Sequence, residues 1–306
     1  MSLPAALARN VAATWGDPGR QWLADLPGTL TRLLADWDLQ REPATYPLSF
    51  HWVGAVRTGD GRAAVLKVGL PGAEHLAAEA AALAWWQGRG AVRLLRFDPA
   101  RGALLLERAE PGTPVTDLVP DGDTQATAAA VEVLRRLHET PPPADPPDHR
   151  LEQLPERLRA LDEHLTQPWR DRLMPRELVD RARGVACDLL ADAPPPRLLH
   201  GDLHHDNVLR ASREPFLAID PHGVVGDPAY DTGAWLYNPG PRDDALAALV
   251  PTRVEQFADG LALPLERVLA WGFVQAVLSA SWTCDTGEAP VDRTLDVAAL
   301  LAPRLP

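Results

Sequence analysis

The stretch from His200 to Gly223, HGDLHHDNVLRASREPFLAIDPHG, constrains this chain more than any other. An apolar lead-in, Arg197-Leu198-Leu199, runs into the polar loop HGDLHHDN, and an apolar strand over Pro215–Ile219 then ends on Asp220. Two loops flanking a hairpin can bring Asp202, Asn207 and Asp220 to one point. Those three side chains suit one chemistry. A hydroxyl nucleophile needs an oxygen base beside it, and Mg²⁺ takes hard oxygen ligands while keeping several of its waters. A second chemistry also fits the stretch. His200, Asp202, His204 and Asp220, with His205 and His222 nearby, have the donor types of a zinc-dependent hydrolase.

The order Asp, then Asn five positions later, then a strand-terminal Asp matches the way kinases place a catalytic-loop aspartate and two metal-binding residues. What separates this reading from the zinc one lies in the first hundred residues. The chain has 30 basic residues, and Lys67 is its one lysine; the rest are arginine. A compact ammonium kept at one position suits a point contact with phosphate, where a guanidinium is broader and planar.

Lys67 falls in a hairpin. Phe50–Thr58 reads as one strand, Gly59-Asp60-Gly61 as the turn and Arg62–Val68 as the return, with Val65 and Lys67 on one face. Pro71 and Gly72 open a helix that Gly88 closes. Glu79 lies on its apolar stripe between Leu76 and Leu83, where a carboxylate needs a partner to offset its desolvation. Lys67 is the expected partner, and a strand lysine paired with a helix glutamate is the arrangement that aims a kinase lysine at nucleotide phosphates. The glycines here, Gly54, Gly59 and Gly61, do not spell G-x-G-x-x-G.

Elsewhere the reading is architectural. Pro4–Ala13 and Trp22–Trp37 read as two helices capping the N-terminus. Val92–Phe97 and Ala103–Glu107 read as strands, and Glu107 to Gly112 as a hinge whose backbone, at Glu107 and Ala109, would meet an adenine edge. Thr124–Glu139 reads as a helix, followed by a proline-rich spacer over Pro141–His149. Helical segments are expected over Leu151–Leu165, Arg176–Ala191, Pro241–Val250, Thr252–Gly260, Leu265–Trp282 and Val291–Leu301. Asp227 either faces the pocket or starts a turn, and Asp231 is placed to hold the polar loop through backbone hydrogen bonds. Asp285 and Glu288 form an acidic connector that would line a substrate mouth.

Composition bounds the rest. The net charge of −12 argues against nucleic acid as a partner and is compatible with a cationic small molecule. No apolar run reaches membrane-spanning length, no signal-peptide core is evident, and two cysteines make no disulfide framework, so a cytoplasmic location is the expectation. Oligomeric state is left open.

Taken together, AAVLKVGLP, EAAAL with GRGAVRLL, ALLLERAEPG, LLHGDLHHDNVL and AIDPHGVVGDPAYDTGAWL make the chain resemble the aminoglycoside phosphotransferase family, in its streptomycin 6-phosphotransferase and hydroxyurea phosphotransferase branch. The resemblance runs from about residue 45 to the C-terminus. It implies an α+β, protein-kinase-like two-lobed fold: a small antiparallel-sheet lobe over 1–109, with a helical cap over about 1–40, and a mainly helical lobe over 110–306. It implies ATP and Mg²⁺ as cofactors and an alcohol as phosphate acceptor. The acceptor would be an aminoglycoside such as streptomycin at its 6-position, with antibiotic inactivation as the outcome, or alternatively hydroxyurea or another small sugar or amino alcohol. Asp202 would act as base or orienter, Asn207 and Asp220 would bind Mg²⁺, and Lys67, oriented by Glu79, would hold the phosphates. His200 would be structural. HGD and IDP stand where protein kinases have HRD and DFG, and no activation loop separates Asp220 from Asp227.

Overall fold

The computed structural model describes residues 4–46, 48–139, 151–239, 245–290 and 292–305. The chain divides into two compact units, one of residues 1–88 and 92–110, the other of 89–91 and 111–306. No helix among the described residues is long and apolar enough to cross a membrane.

The first unit begins with helix α1, Ala5–Asp36. The two helices expected here form one element, broken at Gly16, whose φ of 55° only glycine adopts without cost; Pro18 then restarts the helix. Five strands follow: β1 Leu39–Thr45, β2 Trp52–Thr58, β3 Ala63–Val68, β4 Leu94–Asp98 and β5 Ala103–Glu107, with helix α2, Glu74–Trp86, between β3 and β4. They form an antiparallel sheet in the order β1-β2-β3-β5-β4. β1 is unanticipated, since LQREPAT is polar and carries Pro43. It lies at the sheet's edge, where a missing N–H is tolerated. The core beneath combines Leu26, Leu30 and Leu33 of α1 with Trp52, Val56, Leu66 and Val68 of the sheet. Such burial supplies the main driving force, about 25 cal/mol per Å² of apolar surface.

The second unit opens with β6, Pro111–Pro114, and α3, Asp123–His138. The proline-rich spacer expected over Pro141–His149 lies outside the described residues. The segment from Leu151, expected to be helical throughout, starts instead with β7, Glu152–Gln153, then α4, Leu154–Arg157, and α5, Arg159–Leu165. Helix α6 is Arg176–Ala191, followed by four short strands: β8 Arg197–Leu199, β9 Val208–Ala211, β10 Phe216–Ala218 and β11 Val224–Gly226. They build two three-stranded sheets, β10-β9-β6 and β7-β11-β8. Helix α7 is Gly233–Leu236, and α8 runs as one helix, Ala245–Leu261, through Pro251 where a break had been expected. The long buried α9, Leu265–Asp285, packs on α6 and on α10, Asp292–Leu301. Arg253 of α8 is fully buried; it pairs with Asp123 (2.6 Å) and donates to the carbonyls of Trp235 and Asn238 (both 2.8 Å).

Candidate active site

In the first unit, Lys67 and Glu79 meet as expected. The Nζ–Oε2 distance is 2.7 Å, and the side chains are 6% and 2% exposed. The period-two alternation of β3 turns Ala64, Leu66 and Val68 into the apolar core. Lys67 points the other way, where α2 presents Glu79. Both charges are buried, and their pairing offsets part of the cost of desolvation. Glu107, at the end of β5, accepts a hydrogen bond from the Arg93 amide at 2.9 Å, and Ala109 is buried just beyond it.

In the second unit, the polar loop between β8 and β9 is shaped almost entirely through its main chain. Asp231, fully buried, accepts from the amides of His200 (2.8 Å) and Gly201 (2.7 Å), and from the His138 ring (2.8 Å). Burial alone would raise its pKa. The His138 hydrogen bond, with support from His200 and the Gly201 amide, outweighs burial and holds the carboxyl below its ordinary value. His200 Nε2 donates to the Ile219 carbonyl (2.8 Å) and Nδ1 accepts from the Asp202 amide (3.3 Å). Desolvation lowers its pKa, so it is a neutral strut. His222 N to His200 O (2.7 Å) and Ile219 N to Asn207 O (3.0 Å) tie the far end of the hairpin back to the loop.

The donor set of this loop suits Mg²⁺. Asn207 is nearly buried, and its Nδ2 donates to the Asp202 carbonyl (3.0 Å) and to His204 Nε2 (3.1 Å). The oxygen is therefore the atom this amide has to offer a hard cation. Asp220 follows β10 at φ 58°, a left-handed conformation that aspartate tolerates better than most residues and that often marks functional positions. One amide oxygen and one carboxylate fit an ion that takes one or two protein ligands and completes its shell with water and phosphate. The zinc arrangement meets a different outcome. Both ring nitrogens of His200 are taken inside the loop. His205 is buried with its ring stacked on Trp235 at 3.6 Å. Among the described residues no group of three or more His, Cys, Asp or Glu is placed to hold a metal ion.

Of the two readings of Asp227, the structure shows the turn. Asp227 caps the turn before α7 through the Ala229 amide (3.0 Å) and is sealed by Arg267 and Trp271, both 2.6 Å from its Oδ2. Asp285 pairs with Arg170 at 2.5 Å, and Glu288 is exposed beyond α9.

A cavity of about 430 Å³ does lie in this unit, lined by Glu152, Glu156, Arg157, Ala160, Glu163, His222 and Trp282. Three carboxylates face one guanidinium and the 37%-exposed indole of Trp282. Arg157 is its hub. It donates to Tyr230 Oη (3.0 Å), Glu152 (2.8 Å), Gly201 O (3.2 Å) and His222 Nδ1 (2.7 Å), and its guanidinium lies 5.0 Å from the Trp282 ring centroid. Burial pushes the Tyr230 hydroxyl up to about 12. Burial and Arg157 bring His222 down to about 4 against the opposing pull of Asp202. His222 Nε2 lies 3.8 Å from Asp202 Oδ2. Sequence reading missed Arg157, whose only signal was an arginine among acids on a short helix.

Comparison with solved structures places the fold. Aminoglycoside phosphotransferase APH(3'')-Id from Streptomyces rimosus, in complex with ADP and streptomycin, superposes with a TM-score of 0.55 at 22% identity, over 82% of this chain and 97% of that one. Choline kinase LicA from Streptococcus pneumoniae gives 0.61 at 15% identity, over 92% and 98%. The class is a protein-kinase-like small-molecule kinase, a phosphotransferase with an alcohol group as acceptor. Residues 42–287 match the model of the aminoglycoside/hydroxyurea antibiotic resistance kinases, and the chain belongs to that family. Streptomycin 6-kinase of Streptomyces glaucescens is 33% identical over 95% of this chain and 94% of its own length. Hydroxyurea phosphotransferase of Kitasatospora aureofaciens is also 33% identical, over 99% and 87%.

Proposed function

We propose that this chain transfers the γ-phosphate of ATP to a hydroxyl of a small cationic acceptor, an aminoglycoside of the streptomycin type, phosphorylated at its 6-position. The observation that carries the cationic acceptor is the cavity beside Asp202, where Glu152, Glu156 and Glu163 outnumber Arg157 and Trp282 offers a flat face. Carboxylates and an indole together favour guanidinium or ammonium groups. Hydroxyurea is uncharged and would gain little from such walls; a relative named for it, at the same identity, keeps it as the second reading.

The residue roles follow from the chemistry of the side chains. Lys67, steadied by Glu79, takes the phosphates of the nucleotide as a point charge. Asn207 Oδ1 and the Asp220 carboxylate would hold Mg²⁺, which would supply neutralisation of charge on the phosphates. Asp202 orients the acceptor hydroxyl and takes its proton as the new oxygen–phosphorus bond forms and the bond from the γ-phosphorus to the leaving ADP oxygen breaks. His200 and Asp231 hold the loop, and the backbone at Glu107 and Ala109 meets the adenine. Transfers of this kind depend mainly on positioning and charge neutralisation. The test is an ATP-consumption screen over aminoglycosides, hydroxyurea, simple sugars and amino alcohols, with mass detection of the product. A phosphorylated streptomycin with the new group at the 6-position supports the reading. Turnover confined to hydroxyurea or to uncharged sugars overturns it.

A further inference from the structure

Two imidazoles face the carboxylate of Asp202, and the structure sets the polarity of one of them. His204 Nε2 lies 3.9 Å from Asp202 Oδ2, and His222 Nε2 lies 3.8 Å from the same oxygen. Two donors converge on His204, the Asp206 amide on Nδ1 (3.3 Å) and the Asn207 side-chain amide on Nε2 (3.1 Å), so its neighbours do not fix which nitrogen carries the proton. A guanidinium can only donate, so Arg157 Nη2, at 2.7 Å, makes His222 Nδ1 the acceptor and leaves the ring proton on Nε2. His222 therefore turns an N–H toward the carboxylate.

Arg157 is itself over-determined. Glu152, Tyr230 and the Gly201 carbonyl take three of its four remaining donors, and its side chain is only 9% exposed. The His222 main chain is tied to the His200 carbonyl at 2.7 Å. Ring and backbone are thus both fixed relative to the loop that carries Asp202.

We propose that His222 is a positioning residue for Asp202: its Nε2–H, set by Arg157, engages Oδ2 and leaves Oδ1 to meet the acceptor hydroxyl. The 3.8 Å separation exceeds a hydrogen bond, and a small rotation of the Asp202 side chain closes it. Hydrogen bonds at catalytic groups are often long before substrate binds. His222 also lines the acidic cavity, so the residue that orients the base is part of the wall the acceptor touches. None of the residues in this relay is a proposed ligand of magnesium.

The inference rests on the proposed function for its kinetic readout, so the experiment has an arm that does not. Long-range ¹H–¹⁵N spectra of the histidine rings report the tautomer directly in the intact chain. His222 is expected neutral with its proton on Nε2, and Arg157→Met is expected to abolish that preference. A proton on Nδ1 overturns the proposal whatever the protein phosphorylates. In the kinetic arm, His222→Phe should lower kcat roughly 10- to 100-fold, the usual cost of losing a residue that orients a reacting group. The KM for Mg-ATP should hold. His222→Gln reaches out with an amide N–H and should recover most of kcat, whereas His222→Asn is too short to do so. Equal rates for the Gln and Phe variants, or an undiminished rate for Phe, overturn the proposal. If the His222→Phe variant does not fold, as judged by melting with and without Mg-ATP, the Gln-against-Asn comparison decides alone. A wild-type protein that phosphorylates no alcohol contradicts the proposed function and leaves the tautomer result standing.

Discussion

The two oxygens of Asp231 take the amides of consecutive residues thirty positions upstream, Oδ1 at 2.7 Å from Gly201 N and Oδ2 at 2.8 Å from His200 N. A carboxylate in this place satisfies two buried donors and the His138 ring at once. An amide could not, because its nitrogen would face another N–H.

Asp231→Asn is therefore expected to cost about 3 kcal/mol, the range for hydrogen bonds to a buried charged group. Its pH dependence has a definite sign. The folded pKa is lowered from 3.8, so the stabilisation is fully present above that value and is lost as pH falls through the folded pKa. Denaturant unfolding followed from pH 7 to well below 3.8 should show the gap between wild type and variant holding above that value and narrowing below it as the carboxyl protonates. A gap that stays constant would contradict the assignment.

Lys67→Met removes the buried ion pair with Glu79 and should cost about 3–5 kcal/mol. The double variant Lys67→Met/Glu79→Leu should recover much of that stability in melting experiments and still fail to turn over. Lys67→Arg keeps the charge but not the shape, and it should impair turnover; near-wild-type rates would remove the lysine from its phosphate role.

Asp202→Ala should lower kcat by at least 10²-fold, the lower end of general acid–base contributions, while Mg-ATP still raises the melting temperature. Loss of the nucleotide effect together with activity would instead point to damage to the loop.

Glu156→Gln and Glu163→Gln change the wall of the cavity without disturbing its hub. Each should raise the KM of a cationic acceptor up to roughly fivefold at low salt, with kcat little altered, as expected for a charge contact near solvent. The effect should fade at high ionic strength and be absent for uncharged acceptors. Initial-rate kinetics in both classes of acceptor would show it.

Much of this was legible before any coordinates. The Lys67–Glu79 pair followed from a lysine on a strand and a carboxylate on an apolar stripe, because burial forces such groups together. The grip of Asp231 on the loop followed from an acid beginning a helix just beyond it. Other features were hidden for physical reasons. Edge strand β1 has no apolar alternation to betray it, since sheet edges tolerate polar residues and proline. Asp227 read as either a pocket acid or the start of a turn, and nothing local announces Arg267 and Trp271, forty and forty-four residues downstream. The cavity was invisible because its walls come from three distant segments, and Arg157 acquires meaning only when Tyr230, Gly201 and His222 surround it.

The left-handed backbone at Asp220 has an evolutionary corollary. Asparagine and glycine are the residues that adopt such a conformation most readily, and each is a single base change from an aspartate codon. Either would preserve the bend while removing the carboxylate. On the metal-holding role proposed for Asp220, well-folded but inert descendants of this chain lie one mutational step away, and a gene losing its selective benefit would fall silent there without its product unfolding.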